Sequence, residues 1–554
     1  MSQSVRYLFL IVFILFSGCS RKTKTADRED GLTSFSAQRL KQDVAVLASD
    51  SLTGRKPITA GETRTINYIR QQFLAAGLEP GNGNSFFQEV PVVSILATAA
   101  PFMKIKSSKG EFKLKAFDDY IIWTDKTDEF ISLDNSELIF TGYGVVAPEY
   151  NWNDYEGLDV KDKVVMVMVN DPGFWIGDTS LFQGQRMTYY GRWTYKFEEA
   201  ARQGAKGCLI IHNTAAAGYP FSVQQNSFNN ARLQLDKRGQ DIKNCDVIGW
   251  LPESVAKKLF LAAGLDSSLL IKANQRGFKG VPLNLRLSTT MKVQVTYNKS
   301  YNVIAKITGA KNKDESIIYT AHWDHLGIGK PDETGDSIYN GALDNATAVA
   351  GLFELARAFK SMKTKPGRSI IFLSVTGEEE GLLGSQYFVD NPVCPLNNII
   401  ANMNMECLNW GTATNDMVII GEGQSELEDY FREEVEKAGG YISPERHPEA
   451  GAYYRSDHFN FAKAGIPALY VWTGTDVIGK GKEAGAKIQD EYIAKNYHRP
   501  SDEYNPSTWT MDGAVNELKL LFQVGKRVVF EEKRPEWKSG FNNRYLRPPE
   551  PGRN

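Results

Sequence analysis

The sequence predicts an α/β fold in which helices flank a mostly parallel, mixed sheet. Apolar runs of strand length occupy residues 301–307, 316–320, 369–376 and 468–472. Helical runs alternate with them at residues 346–360, 386–389 and 426–438. This alternation favours parallel strands whose connecting helices cover both faces of the sheet. His322, Glu378 and Glu406 each follow the end of such a strand, and ligands of these sheets collect at the carboxyl ends of strands. We therefore expect these side chains to share one pocket.

Length and composition indicate a multidomain globular protein. A chain of 554 residues is too long for one ordinary core, so two or more domains are expected. The charged share of 23% is typical of soluble domains. Lys plus Arg number 64 and Asp plus Glu number 66, and this balance argues against a nucleic-acid partner. After the first twenty residues, no run is long and apolar enough to span a bilayer.

The N-terminus predicts export. Residues 1–18 read as a signal peptide, with Arg6 in the positively charged part and an apolar stretch at 8–16. The segment 15–19, LFSGC, resembles a bacterial lipobox, in which the cysteine carries the lipid. We expect a cell-envelope protein, facing the periplasm or the cell surface, held to a membrane through a lipid on Cys19 and a polar tether at 19–34. The alternative is a cleaved signal and a soluble product.

Five short motifs place metal-binding residue types around the predicted pocket. They are HWD at 322–324, NGALDNATAVA at 340–350, TGEEEGLLGS at 376–385, NMNME at 402–406 and YHRPSDEY at 497–504. Imidazole and carboxylate together suit zinc and related divalent cations. Carboxylates brought so close would repel one another without a cation.

These motifs, in this order and spacing, resemble the M28 family of di-zinc exopeptidases, which are mostly aminopeptidases. The resemblance implies the zinc-exopeptidase, or phosphorylase/hydrolase-like, fold, two Zn²⁺ ions and peptide substrates. It assigns five metal ligands, which are His322, Asp344, Glu379, Glu406 and His498. Asp344 would bridge the ions, with His322 and Glu406 on one and Glu379 and His498 on the other. Glu406 stands where the family usually has aspartate, and the peptide after the bridging aspartate tends to be cis.

Glu378 and Asp324 are the predicted catalytic residues. Adjacent side chains on a tight turn point in different directions, so Glu379 can bind metal while Glu378 faces the substrate. The resemblance makes Glu378 the general base that takes a proton from metal-activated water and passes it to the leaving amine. Asp324 would orient His322 by accepting its second N–H. His325 is expected to be an ordinary loop histidine and Glu380 to be solvated.

The region from 117 to 289 has a different pattern of predicted secondary structure, with short strands around one helix at 195–203. The segments GLDVKDKVVMVMV and KFEEAARQGAKGCLIIH resemble the protease-associated (PA) domain, a β-rich insertion in many M28 enzymes. The predicted organisation is a peptidase domain at 35–116 and 290–532, a PA insertion at 117–289 and a tail at 533–554. No catalysis is expected from the insertion. Its aromatic stretch at 187–196 either lines the entrance to the site or simply packs.

Three functions stay open at this point. The leading interpretation is an M28-type exopeptidase that releases N-terminal residues. A carboxypeptidase of the same fold would need a cationic residue to hold a free carboxylate, and Arg455 is a candidate. A catalytically dead receptor is the third, although each ligand position here keeps an oxygen or nitrogen donor. Side-chain specificity, oligomeric state and the pairing of the remaining four cysteines are not determined by the sequence.

Overall fold

The computed structural model describes residues 30–177, 179–227, 230–240 and 242–538. The predicted signal peptide, Cys19, most of the tether and most of the tail lie outside the described residues. Within the described part, no helix combines the length and the apolar character that crossing a membrane requires. The four cysteines in this part are unpaired thiols.

The described part contains helices and strands in mixed order. The α-helices are α1 (Ala37–Leu47), α2 (Ala60–Ala75), α3 (Gly173–Ile176), α4 (Trp193–Arg202), α5 (Thr214–Ala217), α6 (Phe221–Ser227), α7 (Glu253–Ala262), α8 (Ser268–Lys272), α9 (Thr347–Ser361), α10 (Leu383–Asp390), α11 (Glu426–Lys437), α12 (His458–Lys463), α13 (Gly481–Lys495) and α14 (Asp512–Phe530). The strands are β1 (Glu79–Pro80), β2 (Phe87–Ala99), β3 (Phe102–Ser107), β4 (Gly110–Lys115), β5 (Ile121–Trp123), β6 (Phe130–Phe140), β7 (Val146–Ala147), β8 (Trp152–Asn153), β9 (Val164–Met168), β10 (Gly207–His212), β11 (Arg232–Leu235), β12 (Val247–Pro252), β13 (Val281–Ile307), β14 (Asn312–His322), β15 (Gly327–Ile328), β16 (Ile338–Tyr339), β17 (Arg368–Val375), β18 (Ile399–Asn404), β19 (Asp416–Ile419), β20 (Tyr441–Ser443) and β21 (Ala468–Thr473).

The sheet that carries the predicted pocket is mixed. Its centre is parallel, in the order β17, β14, β18, β21. Strand β13 joins it antiparallel beside β17, and β19 joins it antiparallel beside β21. Neighbouring residues of β14 face opposite sides: Tyr319 lies in the core beneath α1, α2, α9 and α14, and Ile318 in the core beneath α10 and α12. The predicted α/β fold with a helix-covered, mixed sheet is confirmed.

Strand β13 joins this sheet to the second β-rich region. It is 27 residues long; its first part pairs with β6 and β3, its middle with β2 and its end with β17. Strands β6, β9, β10 and β12 continue the second region in parallel. Strands β2 to β4 pack in the same core as β9, β10 and β12, and β13 passes residue 289 without a break. The insertion at 117–289 therefore remains a prediction, and its neighbours on both sides share its core.

Candidate metal centre

Three parallel strands deliver polar side chains to one edge of the sheet. Strand β14 ends at His322, β17 ends just before Thr376, and β18 ends at Asn404, two residues before Glu406. After β17 the chain turns at Gly377, whose φ of 64° lies in the left-handed region that glycine adopts without strain. Glu378 and Glu379 follow on that turn. The convergence expected from the strand ends is therefore present.

Asp344 reaches this edge from one turn of π-helix, Ala342–Ala346, directly before α9. The peptide bond from Asp344 to Asn345 is cis, as the family resemblance implied. The backbone N–H of Asp344 donates to Asp502 at 3.1 Å, and that of Leu343 donates to the same carboxylate at 3.0 Å. The loop that carries His498 is thereby tied to the loop that carries Asp344.

The two histidines lie on either side of the Asp344 carboxylate. Nε2 of His322 is 3.3 Å from Oδ1 of Asp344, and Nε2 of His498 is 3.2 Å from Oδ2. Nε2 of His498 is also 3.2 Å from Oε2 of Glu379. The five predicted ligands thus form two groups around one shared carboxylate, with Glu406 in the His322 group.

Two sets of donor atoms are close enough together to hold a cation each. The donors of His322, Asp344 and Glu406 lie within 4.8 Å of one another, and so do those of His325, Asp344 and Glu379. Nε2 of His322 and Oδ1 of Asp344 are buried without a hydrogen-bond partner. Buried polar atoms are normally satisfied, and a divalent cation would satisfy both of these. The donor set therefore fits a divalent metal ion.

The electrostatics of the pocket favour positive charge. Burial opposes protonation of His322, but Glu378 and Asp344 outweigh it and raise the pKa of this histidine well above its usual value. Burial likewise opposes the charge of His498, and Glu379 and Asp344 raise its pKa to about 10. Burial raises the pKa of Glu378 well above its usual value, and repulsion from Glu406 and Glu379 adds to the effect. These buried carboxylates stabilise a nearby positive charge, which is either a protonated histidine or a metal ion.

Asp324 is buried and holds the turn that carries the two glutamates. Its Oδ1 accepts from the backbone N–H of Glu378 at 3.1 Å, and its Oδ2 from that of Glu379 at 3.3 Å. Nδ1 of His322 lies 3.1 Å from the main-chain oxygen of Asp324 and 3.8 Å from its carboxylate. The expected contact to His322 is thus nearer to the backbone carbonyl, and the carboxylate serves the turn.

His325 was expected to be an ordinary loop histidine, but it lies in the site. It is buried, and its Nδ1 is 2.8 Å from Oε1 of Glu379. Its ring centroid is 5.8 Å from that of His498. Its position directly after HWD could have indicated this location, because a loop that enters a metal site places consecutive residues close to the metal.

Two further residues brace the site, and sequence reasoning did not identify them. The buried guanidinium of Arg55 donates to the backbone carbonyls of Trp323 at 2.9 Å and Gly341 at 2.8 Å. It therefore fastens the His322 loop to the Asp344 loop. The hydroxyl of Tyr470 donates to Oε2 of Glu406 at 2.8 Å and fixes that side chain. An arginine in a loop and a tyrosine in a strand carry no local sign of such roles.

Glu380 was expected to be solvated, but it meets the second β-rich region. Its Oε2 accepts from the backbone N–H of Leu233 in β11 at 3.1 Å. Leu383, at the start of α10, packs with Leu233 and Leu235 beside β2. The turn that carries Glu378 is thus held from two sides, by Asp324 and by β11.

Comparison with known proteins agrees with this geometry. The profile described as "Peptidase family M28" matches residues 302–523, which contain all five motifs. Aminopeptidase YwaD of Bacillus subtilis (strain 168) is 27% identical over 310 residues, covering 52% of this chain and 60% of its own. A probable zinc metalloprotease of Pyrenophora teres f. teres (strain 0-1) is 34% identical over 104 residues, or 19% of this chain and 22% of its own. The chain thus spans less than two thirds of the length of either relative.

Among solved structures, an aminopeptidase from Aneurinibacillus sp. strain AM-1 has a similar fold. It superposes with a TM-score of 0.51 at 19% identity, covering 92% of this chain and 97% of its own. The M28 resemblance that the five motifs predict is therefore confirmed for the matched segment. Residues 302–523 carry the pattern of peptidase family M28, on the fold of a known aminopeptidase.

Proposed function

We propose that this protein is a zinc-dependent exopeptidase that hydrolyses peptide bonds at chain ends, acting as an aminopeptidase. The observation that carries the proposal is the pair of donor groups that share Asp344, with the Glu378 carboxylate beside them and in neither group. The relatives named aminopeptidase and zinc metalloprotease support the same reading.

The ligand assignment follows the two donor groups. His322, Asp344 and Glu406 would hold one Zn²⁺, and Asp344, Glu379 and His498 the other. His498 is preferred to His325 as the second histidine ligand because its Nε2 is 3.2 Å from both Asp344 and Glu379, whereas Nδ1 of His325 already contacts Glu379 at 2.8 Å. His325 would instead orient Glu379, as a second partner of a metal-binding carboxylate does.

Glu378 would act as the general base. Bound divalent cations supply polarisation of the scissile carbonyl and a lower pKa for a water molecule. The Glu378 carboxylate would accept a proton from the attacking water and return it to the departing amine. Asp324 would keep Glu378 in place through the two backbone N–H groups of the turn. Positioned proton transfer of this kind typically contributes ~10²–10⁴-fold to the rate.

Residues 117–289 would form a PA insertion without catalytic residues, and the protein would be exported and anchored by a lipid on Cys19. Metabolic labelling with a radioactive fatty acid should mark the protein, and Cys19→Ser should abolish the label. Labelling of the Cys19→Ser variant to the same extent would reject the anchor.

The activity is tested with a pair of substrates that differ only at the amine. Leucine p-nitroanilide should be hydrolysed by the zinc-loaded protein, and N-acetyl-leucine p-nitroanilide should not. Equal hydrolysis of both would exclude aminopeptidase action. Full zinc loading without turnover of any peptide would favour the binding-protein alternative.

A further inference from the structure

The aromatic stretch of the second β-rich region packs against the segment from residue 448 to residue 459. Ring centroids of Tyr189 and Phe459 are 5.1 Å apart, and those of Tyr189 and Tyr454 are 5.9 Å apart. The backbone N–H of Met187 donates to the carbonyl of Pro448 at 3.1 Å. These contacts fix segment 187–192 against segment 448–459.

Each of these two segments brings an arginine to the same place. Arg192 directly precedes α4, and its Nε is buried without a hydrogen-bond partner. Burial lowers the pKa of Arg192 to about 10, and repulsion from Arg455 contributes. The ring contact between Tyr189, three residues before Arg192, and Tyr454, directly before Arg455, brings the two arginines near one another although they lie in different regions of the chain.

Neither guanidinium forms an ion pair with a carboxylate of the described residues. Among the described residues, neither side chain forms an ion pair or a hydrogen bond, and Nε of Arg192 is buried without an acceptor. The half-buried Arg192 therefore lacks the anion that normally compensates a desolvated guanidinium. Arg368, by contrast, is buried and paired with Glu315.

Arg455 also lies near the metal centre. Burial opposes the charge of Arg455, but Tyr497, Tyr219, Glu378 and Glu406 outweigh burial and raise its pKa. The next residue, Ser456, accepts from the amide of Asn404 at 2.7 Å, at the end of the strand that leads to Glu406. Arg455 is exposed to water and directly precedes Ser456, so it lies near the strand end that leads to Glu406.

We propose that Arg192 and Arg455 together form a subsite for a substrate carboxylate, so that the site prefers short peptides, dipeptides first, whose free C-terminal carboxylate reaches the pair. This inference rests on the proposed peptidase function. Arginine is suited to the task because its planar fork matches a carboxylate in two hydrogen bonds. The second β-rich region would thereby contribute to specificity, although it carries none of the proposed metal ligands.

The test compares substrates with and without the carboxylate. For the zinc-loaded protein, the KM of Leu-Gly-NH₂ should exceed that of Leu-Gly by about 10-fold or more, as expected for a lost charged hydrogen bond. The ratio of the KM of Leu-Gly-NH₂ to that of Leu-Gly should fall toward one in Arg192→Gln and in Arg455→Gln. Arg192→Lys, which keeps the charge but not the fork, should give an intermediate ratio. Arg186→Gln is the control, because Arg186 makes an exposed hydrogen bond to the carbonyl of Glu422, and its ratio should stay that of the unmodified protein.

A second substrate pair separates the two sources of a carboxylate. A preference for Leu-Glu-NH₂ over Leu-Gln-NH₂ that disappears in Arg192→Gln, with no effect of the C-terminal carboxylate, would overturn the dipeptide preference in favour of an acidic side chain. Unchanged ratios in folded Arg192→Gln and Arg455→Gln, checked by circular dichroism, would overturn the subsite. Leucine p-nitroanilide carries no carboxylate, so its hydrolysis by the unmodified protein reports on the proposed function alone. If it is cleaved and the ratios do not change, only the subsite fails.

Discussion

The carboxylate of Asp324 accepts a hydrogen bond from the backbone N–H of Glu378 at 3.1 Å. Asp324 thereby fixes the proposed base through the main chain and leaves the Glu378 side chain unconstrained by that contact. Asp324 is also within 3.8 Å of the ring of His322, so one buried carboxylate couples the proposed base to a proposed ligand. The proposed site thus divides residues that would hold metal from a residue that would move a proton.

Glu378→Gln should abolish turnover and leave the metal bound. The amide keeps the shape of the side chain but cannot accept a proton from water, so kcat should fall by ~10²–10⁴-fold. Zinc content by mass spectrometry should equal that of the unmodified protein. Glu436→Gln is the control, because Glu436 is exposed on α11. Loss of zinc from Glu378→Gln would show that the roles of Glu378 and Glu379 are exchanged.

Asp344→Asn should weaken the binding of both cations, whereas His498→Ala should weaken that of only one. Asp344 contacts both histidine rings through different oxygens, but His498 contacts one group alone. Zinc per chain, measured after dialysis against a weak chelator, should fall further in Asp344→Asn than in His498→Ala. Equal zinc contents in the two variants would contradict a shared carboxylate.

Removal of the metal should lower the melting temperature. A ligand that binds only the folded state stabilises it by ~2.7 kcal/mol when its free concentration is ~100 times Kd. EDTA should therefore lower Tm, and added zinc should restore it. Asp344→Asn, which lacks the shared ligand, should respond much less to either treatment. A Tm that stays constant while mass spectrometry reports loss of zinc would argue against this site as the place of binding.

Glu380→Ala should lower kcat more than it changes KM or zinc content. The change removes the acceptor for the N–H of Leu233 and releases one support of the turn that carries Glu378. Glu380→Gln keeps an oxygen that can accept this bond, so it should retain most of the activity. If the glutamine and alanine variants are equally impaired, or neither is, the contact with β11 does not position the turn.

Glu517→Gln should gain stability relative to the unmodified protein as the pH rises from 5 to 8. Burial raises the pKa of Glu517 from 4.5 to about 7, so the folded state binds an extra proton between these values. The stability that this proton contributes is therefore fully present below pH 4.5. It is lost as the pH rises through 7, and the loss is on the order of 3 kcal/mol. Glutamine does not titrate, and its oxygen can still accept from the N–H of Asn409, as Glu517 does at 3.1 Å. Urea unfolding at both pH values measures the difference, and a gap between the proteins that is independent of pH would reject the shifted pKa.

The parts of the fold with strong local patterns could be predicted from the sequence. The apolar run at 316–320 lies within β14, the run at 369–376 matches β17 to within a residue at each end, and the helical run at 346–360 matches α9 equally well. The pocket was predictable for the same reason, because parallel strands end at one edge and the motifs follow those ends.

Contacts between distant segments could not be predicted in the same way. Nothing near Arg55 indicates that its side chain is buried across two loops, and nothing near Glu380 indicates an acceptor for β11. Likewise, the length of β13 follows from its pairing with five strands, β1, β2, β3, β6 and β17, which no local pattern encodes. Local periodicity reports which face of an element is apolar, but the partner of a polar group is fixed only by the tertiary fold.

The most direct test is anomalous X-ray diffraction at the zinc absorption edge from crystals of the zinc-loaded protein. Our assignment predicts two anomalous peaks with Asp344 between them, one next to His322 and Glu406 and the other next to Glu379 and His498, and no peak on Glu378. A single peak, or a peak coordinated by Glu378, would contradict it.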